Sequence, residues 1–251
     1  MKATGTVRPA EAADLPLIQE WLKDERNGAM GFINNWTTIQ EACADHEMIV
    51  YVTDEGPVGF LTHGLSLSTI LQTKTSAQRQ GIGRALVEHA IAEEEAKNNF
   101  VVVVECVPES AIGFWLEMGF EPHRDGNFSD SVFMHRISKP GRLHDASDDL
   151  THLQVSVYPE SAMYTEGIIP DRVHYAMAKL DYETRTLVLS RRVIVANESA
   201  LEDPVVEVGL GSLQLYRGKL KHKGAAAIGF QTTPNQWGWY LDVVSLAGDY
   251  R

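Results

Sequence analysis

The hydrophobic rhythm of this 251-residue chain changes character partway along. In the first half, short β-rich runs alternate with stretches whose apolar residues recur every three or four positions. Thr6–Arg8 predicts a short strand. Asp14 then stands at a helix-cap position, with Pro16 inside the first turn and Leu15, Ile18 and Leu22 on one face. Met48–Thr53 and Val58–Thr62 flank Asp54-Glu55-Gly56-Pro57 and predict a hairpin, and Ser66–Thr73 predicts a further strand. From Ile82 the period turns helical. Ile82, Ala85, Leu86 and Ala90, with His89, share a face, while Glu93–Glu95 fall on wet turns. Asn98-Asn99 ends that helix, because asparagine tolerates the left-handed conformation. The run FVVVVEC is apolar without alternation, which predicts a strand covered on both faces in a parallel pairing. Strand, helix and strand at this spacing form a right-handed crossover. Ser110–Met118 predicts a short helix closed by Gly119, and Ser131–Ile137 a last strand.

The pattern breaks at Ser138–Leu150, SKPGRLHDASDDL, whose Pro, Gly, Ser and Asp without apolar periodicity predict a linker. Alternating runs follow. His152–Tyr158, Arg185–Val195, Ser212–Leu220 and Trp237–Val244 predict strands, the last with Trp237, Trp239, Leu241 and Val243 on one face. Val173–Leu180 fits a helical stripe as well, but the hairpin loop LDYETRTL after it favours a strand. The reading divides the chain into a domain at 1–138, a linker at 139–150 and a β-rich domain at 151–251.

Composition narrows the function classes. Hydrophobic residues at 44% and charged residues at 22% are those of a globular protein. No apolar run has membrane-spanning length, and MKATGTVRPAEAADL has no apolar signal core, so neither a membrane partner nor export is expected. The two cysteines, Cys43 and Cys106, are too few for a disulfide framework or a zinc site and fit a cytoplasmic location with no metal. A formal net charge of −12 disfavours nucleic acid. The basic cluster Arg217–Lys223 is expected to be a solvated strand or turn. An acidic surface also tolerates a cationic amine.

One stretch carries chemistry: SAQRQGIGRALVEHAIAEEEA, Ser76–Ala96. Gly81 and Gly83 open a helix where glycine lowers helix propensity, so they offer bare backbone N–H groups instead. The first turn of a helix has unpartnered amides and the positive end of the macrodipole, and glycine lets an anion approach. A phosphate-binding P-loop requires Gly-Lys-Ser/Thr, and Gly83 is followed by Arg84-Ala85. A dinucleotide-binding enzyme is an alternative, with Glu105 placed to meet a ribose. It lacks the third glycine, which Leu86 replaces, and the polar stretch Gln72–Gln80 stands where a tight turn is needed.

Gln78-Arg79-Gln80-Gly81-Ile82-Gly83 resembles the Q/R-x-x-G-x-G/A signature of the GNAT superfamily of N-acetyltransferases. ESAIGFWLEMGF, Glu109–Phe120, resembles the family's later segment, and the resemblance covers about residues 4 to 137. It implies an α/β (α+β) GNAT-type mixed sheet with flanking helices, joined to a second, mainly β domain that carries no recognised motif. It also implies acetyl-CoA as cosubstrate, lying between two splayed strands, Ser66–Thr73 and Val101–Cys106. The pantetheine would pair with backbone of Leu71, Gln72 and Thr73, one of whose N–H groups would serve the oxyanion. The pyrophosphate would sit on amides of Gln78, Arg79, Gln80, Gly81, Ile82, Gly83 and Arg84, the two arginines adding charge.

The implied reaction is direct attack by a primary amine, small molecule or peptide, in a ternary complex. Glu105 is the first candidate base: it shares a strand face with Val103, which stands at the position of the acidic residue in some members. His63 and Glu47 are reserves. Trp115 stands where many members carry an acid tyrosine, and it would pack on the pantetheine instead. Pro108 stands where many carry an asparagine, with Ser110 as a substitute contact. These departures leave a non-catalytic acyl-CoA-binding module as an alternative. Cys106, after an apolar run, is expected to be buried and inert rather than a nucleophile. The β-rich half is a candidate for capping the substrate cleft or for homodimerisation.

Overall fold

The computed structural model describes residues 4–25, 32–124, 132–139, 141, 143 and 150–246. The chain divides into two compact units, Met1–Lys97 with Val102–Glu121, and Asn98–Val101 with Pro122–Arg251. Most of the predicted linker at 139–150 lies outside the described residues.

The first unit runs β1 (Thr6–Pro9), α1 (Asp14–Glu25), α2 (Trp36–Ala44), β2 (Met48–Thr53), β3 (Gly56–Thr62), β4 (Ile70–Thr73), α3 (Ile82–Ala96), β5 (Val101–Glu105, of which Val101 belongs to the second unit) and α4 (Ile112–Glu117). Strands β1 to β4 form an antiparallel sheet in sequence order. Ile18, Trp21 and Leu22 of α1 and Ile39 and Ala42 of α2 pack with Met48, Val50, Phe60 and Ile70 of the sheet.

Four local expectations are corrected. Asp14 is not the cap residue of α1. Its Oδ2 accepts the Glu11 N–H at 2.8 Å while its own N–H donates to the Glu11 main-chain carbonyl at 2.9 Å, so the carboxylate satisfies a backbone donor of the turn before the helix. Arg8 holds both of its carboxylate oxygens, at 2.7 and 2.8 Å. The strand expected over Ser66–Thr73 shrinks to Ile70–Thr73. The Thr69 hydroxyl accepts the Ser66 N–H and donates to the Gly64 carbonyl, so the preceding residues fold into a turn rather than a ladder. On α3 the buried stripe is Ile82, Leu86, Val87, Ala90 and Ile91, and His89 instead faces Glu93 at 3.5 Å. Val101–Val104 are buried as the apolar run requires, but among the described residues β5 makes no parallel ladder with β4.

The second unit continues with β6 (Glu121–Pro122, its first residue in the first unit), β7 (Phe133–Ile137), β8 (Leu150–Tyr158), β9 (Arg172–Asp181), β10 (Thr186–Ala196), β11 (Val205–Leu210), β12 (Leu213–Lys219), α5 (Lys223–Ile228), β13 (Gln231–Thr232) and β14 (Gly238–Ser245). A seven-stranded antiparallel sheet has the order β12-β11-β8-β9-β10-β14-β13. Helix α5 packs on both β12 and β14, near opposite ends of that order, so the sheet curls around a core of Leu153, Val155, Leu189, Val208, Ile228 and Leu241.

The face predicted for the last strand is interrupted. Trp239 and Leu241 are buried, but Val243 is 36% exposed and Val244 takes the inner position. Val188 lies opposite Val243 and Val193 opposite Leu241, so Leu189–Arg192 bulge out against Asp242 alone and shift the alternation. Strand β11 and helix α5 had no sequence prediction. The cluster Arg217–Lys223 is a strand end and turn up to His222, but Lys223 opens α5 and the cluster is not fully solvated: Arg217 lies on Glu207 at 2.6 Å, and Lys219, its side chain 11% exposed, on Glu160.

The second unit also holds a polar cluster around one buried carboxylate. Glu198, 1% exposed, receives Arg124 Nε on one oxygen at 2.9 Å and Nη2 on the other at 2.7 Å, while Arg172 stands 3.6 Å away. Arg124 also clamps Asp171, at 2.6 and 2.8 Å.

Candidate active site

The site is built on a strand edge and a helix start. Lys74 donates its N–H to the Val58 carbonyl at 2.9 Å, and the register pairs Gly59 with Thr73, Phe60 with Gln72 and Leu61 with Leu71. The period-two alternation of an antiparallel ladder then turns the backbone of Gln72 toward β3 and that of Leu71 and Thr73 away from it. Among the described strands, β3 alone pairs with β4. The Leu71 and Thr73 amides therefore line an open edge, and Gln72 leaves the set of backbone contacts expected from sequence.

This edge leads into the glycine turn. Gly81 has φ of +88°, a conformation that costs a residue with a Cβ about 1–2 kcal/mol. Helix α3 makes its first hydrogen bond from the Ala85 N–H to the Gly81 carbonyl at 3.0 Å. The amides of Ile82, Gly83 and Arg84 are thus left without intrahelical acceptors. A Cβ on Gly83 would stand 3.4 Å from the Phe114 ring and 3.8 Å from Thr73 Oγ1, so this glycine seats the helix start beside the end of β4.

The side chains of the turn divide by role. Gln78 and Arg79 are exposed, and Gln80 is half-buried. Gln78 Nε2 reaches the Thr73 carbonyl at 3.4 Å. Arg84 stands 3.7 Å from Glu88 and 3.9 Å from Glu117, so part of its charge is engaged. Ile82 is buried, leaving only its backbone to face a ligand. Trp115 is also buried, edge-on to Phe114 and Phe120, and Ser110 is exposed on the turn before α4.

The two reserve bases meet. His63 follows β3 and Glu47 precedes β2. His63 Nδ1 and Glu47 Oε2 are 2.7 Å apart, and the His63 N–H donates to the Glu47 carbonyl, also at 2.7 Å. The carboxylate thereby fixes the imidazole through Nδ1 and leaves Nε2 as the working nitrogen. Thr62 pairs with Ile70, so the dyad stands at the end of β4 opposite the glycine turn. Glu105 closes β5, half-buried and with no ion pair among the described residues.

Sequence reasoning missed Glu25. Its carboxylate, at the end of α1, accepts the Thr75 N–H at 2.5 Å and the Gln72 side-chain amide at 3.3 Å, tying the helix to the segment between β4 and the glycines. Those partners lie 50 and 47 positions along the chain, so no local pattern marks it.

Cys106 is 1% exposed, and burial, with the charge of Glu109, raises its thiol above the usual range. The neutral thiol is a poor nucleophile. Cys106→Ala should leave acetyl transfer intact in a steady-state assay and lower stability by about 1 kcal/mol. Loss of turnover in a folded variant would instead indicate a covalent intermediate. Elsewhere, His123, His135 and Glu198 offer potential metal-ligand atoms within 4.8 Å of one another. The Arg124 and Arg172 guanidiniums already neutralise that carboxylate and repel a cation.

Residues 44–122 match a family model described as "Acetyltransferase (GNAT) domain". Residues 44–122 are therefore a GNAT acetyltransferase domain, of a family that uses acetyl-CoA, and the match supports acyl-CoA-dependent acetyl transfer as the general class of reaction. Comparison with curated proteins finds no match. Similar solved structures include Ard1 from Thermoplasma volcanium, at 19% identity and TM-score 0.43 over 55% of this chain and 99% of that one. The ribosomal-protein-S18-alanine N-acetyltransferase from Escherichia coli follows at 19% identity and TM-score 0.42, over 57% and 100%. PaiA N-acetyltransferase from Thermoplasma acidophilum, in complex with coenzyme A, shows 16% identity and TM-score 0.42 over 53% and 99%. Among the described residues, no helix is long and apolar enough to cross a membrane.

Proposed function

We propose that the first unit acetylates a primary amine, small molecule or peptide, by direct attack on acetyl-CoA in a ternary complex. The observation that supports this most is the continuity of the open Leu71–Thr73 edge with the unpaired amides of Ile82–Arg84. The diphosphate sits on the helix start, with Arg79 beside it, and the pantetheine amides add to β4 as an extra strand.

The amine nitrogen attacks the thioester carbonyl, so a C–N bond forms and the C–S bond breaks. The Leu71 N–H stabilises the oxyanion. His63 Nε2 takes the ammonium proton, oriented by Glu47, and half-buried Glu105 supplies the negative charge that draws the cationic amine. The sulfur leaves as a thiolate, since a thiol pKa of about 8.5 makes it a tolerable anion without a tyrosine acid. A non-catalytic coenzyme A-binding module is the second reading, favoured by the buried indole of Trp115 at the position of that acid.

Thiol release from acetyl-CoA with a panel of amines, alongside calorimetric coenzyme A binding, separates the two. Binding without release by any amine supports the module. Gly83→Asp tests the diphosphate seat itself. An aspartate in the first turn favours the helix dipole, so the melting temperature should hold or rise, whereas coenzyme A affinity should fall at least about tenfold from like-charge repulsion. Unchanged affinity would remove the diphosphate from this turn.

A further inference from the structure

Strands β9 and β10 pair from Asp181 with Thr186 to Ala178 with Leu189, and there the ladder stops. The Leu189–Arg192 bulge interrupts the β10–β14 ladder at the same point, and beyond it β10 stays paired with β14 but no longer with β9. Two side chains span the gap: the Met177 N–H donates to Ser190 Oγ at 3.2 Å, and the Arg191 guanidinium reaches the Tyr175 carbonyl, its Nε at 2.8 Å. Beyond them lies a cavity of about 200 Å³ in the second unit. Its walls are apolar at Ile137, Val173 and Ile194 and polar at Ser138, His174 and Arg191.

Among the described residues, none that lines this cavity carries a negative charge. Arg192, also at its wall, is committed elsewhere: it pairs with Asp242 at 2.7 Å and lies over the Phe100 ring at 3.9 Å. Arg191 has no carboxylate partner among the described residues and holds only a neutral carbonyl. His174 Nε2 is buried with no hydrogen-bond partner. Burial, then the charges of Arg172 and Arg191, hold the pKa of this imidazole below its usual value, so near neutral pH it is uncharged. A buried nitrogen without a partner is costly unless a ligand supplies one.

We propose that this cavity binds a small organic carboxylate, its oxygens on Arg191 and His174 and its apolar body against Ile137, Val173 and Ile194. The exchange is favourable because a carboxylate adds full charge–charge attraction and takes two parallel N–H donors of the guanidinium fork, which the neutral Tyr175 carbonyl does not offer. A cavity of about 150 Å³ accommodates benzene, so this one admits a ligand the size of benzoate. Free phosphate carries the charge but cannot use the apolar walls.

The test titrates full-length protein with benzoate, with benzamide as neutral isostere and with inorganic phosphate, reading heat and the His174 ring resonances. Benzoate should bind at least about tenfold tighter than either comparator and shift the His174 signals. Arg191→Ala should abolish that shift. Arg191→Lys, which keeps the charge and loses the planar fork, should weaken binding about tenfold. Benzamide binding as well as benzoate, or benzoate binding unchanged in folded Arg191→Ala, overturns the proposal. Phosphate binding as tightly as benzoate overturns the organic-carboxylate assignment.

Discussion

His63→Ala is expected to lower kcat for acetyl transfer about 10²–10⁴-fold, the usual worth of a positioned general base. Coenzyme A affinity should be unchanged, because the dyad stands at the far end of β4 from the glycine turn. Glu47→Gln leaves the imidazole in place but replaces the carboxylate 2.7 Å from Nδ1 with an amide. As a positioning residue, Glu47 should therefore affect kcat less than His63 does and leave coenzyme A binding alone, with Glu47→Asp restoring part of the rate. Steady-state kinetics and calorimetry on the same preparations check both. Full kcat in folded His63→Ala, together with loss in Glu105→Gln, would move the proton to Glu105.

The second large effect is on folding. Arg124→Met removes the guanidinium that holds both oxygens of Glu198, which is almost wholly buried. Breaking a fully buried pair from one side costs about 3–5 kcal/mol; Arg124 is 42% exposed and Arg172 remains 3.6 Å from Glu198, so a smaller loss of about 2 kcal/mol is expected. Chemical denaturation should show this loss, and adding Glu198→Gln to Arg124→Met should recover part of it. A loss below about 1 kcal/mol would mean that the cluster contributes little.

Acid dependence should follow the same pair. Burial alone would raise the Glu198 pKa, but the hydrogen bonds and charge of Arg124 outweigh it and the net shift is downward, as it is for Asp171. A carboxylate with a depressed folded pKa stabilises fully above its ordinary value near 4.5, and that contribution disappears as pH falls through the lower, folded value. Wild type should lose stability across that window. In Arg124→Met, burial dominates and favours the neutral acid, so the difference between variant and wild type should narrow as pH falls.

Much of the site is legible in the chain because its signals are local. The glycine pair, the helical period after Ile82 and the all-valine strand each need no more than about one element of sequence to express their physics. Thr69 shows the limit even at short range. A hydroxyl that can bond its own backbone diverted Ser66–Thr69 from the expected strand. Trp115 is a second case. Its residue type was plain, but only packing against Phe114 and Phe120 shows that the indole lies in the core.

By itself the sequence determined the order of elements, the helix start with bare amides and the family whose signature surrounds it. Tertiary structure alone decided that Leu71 and Thr73, but not Gln72, turn outward, that His63 and Glu47 meet, that Glu25 ties down Thr75, and that β9 and β10 part around a cationic cavity. Strand register makes the difference. It pairs residues far apart in the chain and selects which side each backbone group faces, and no window of local pattern contains that information.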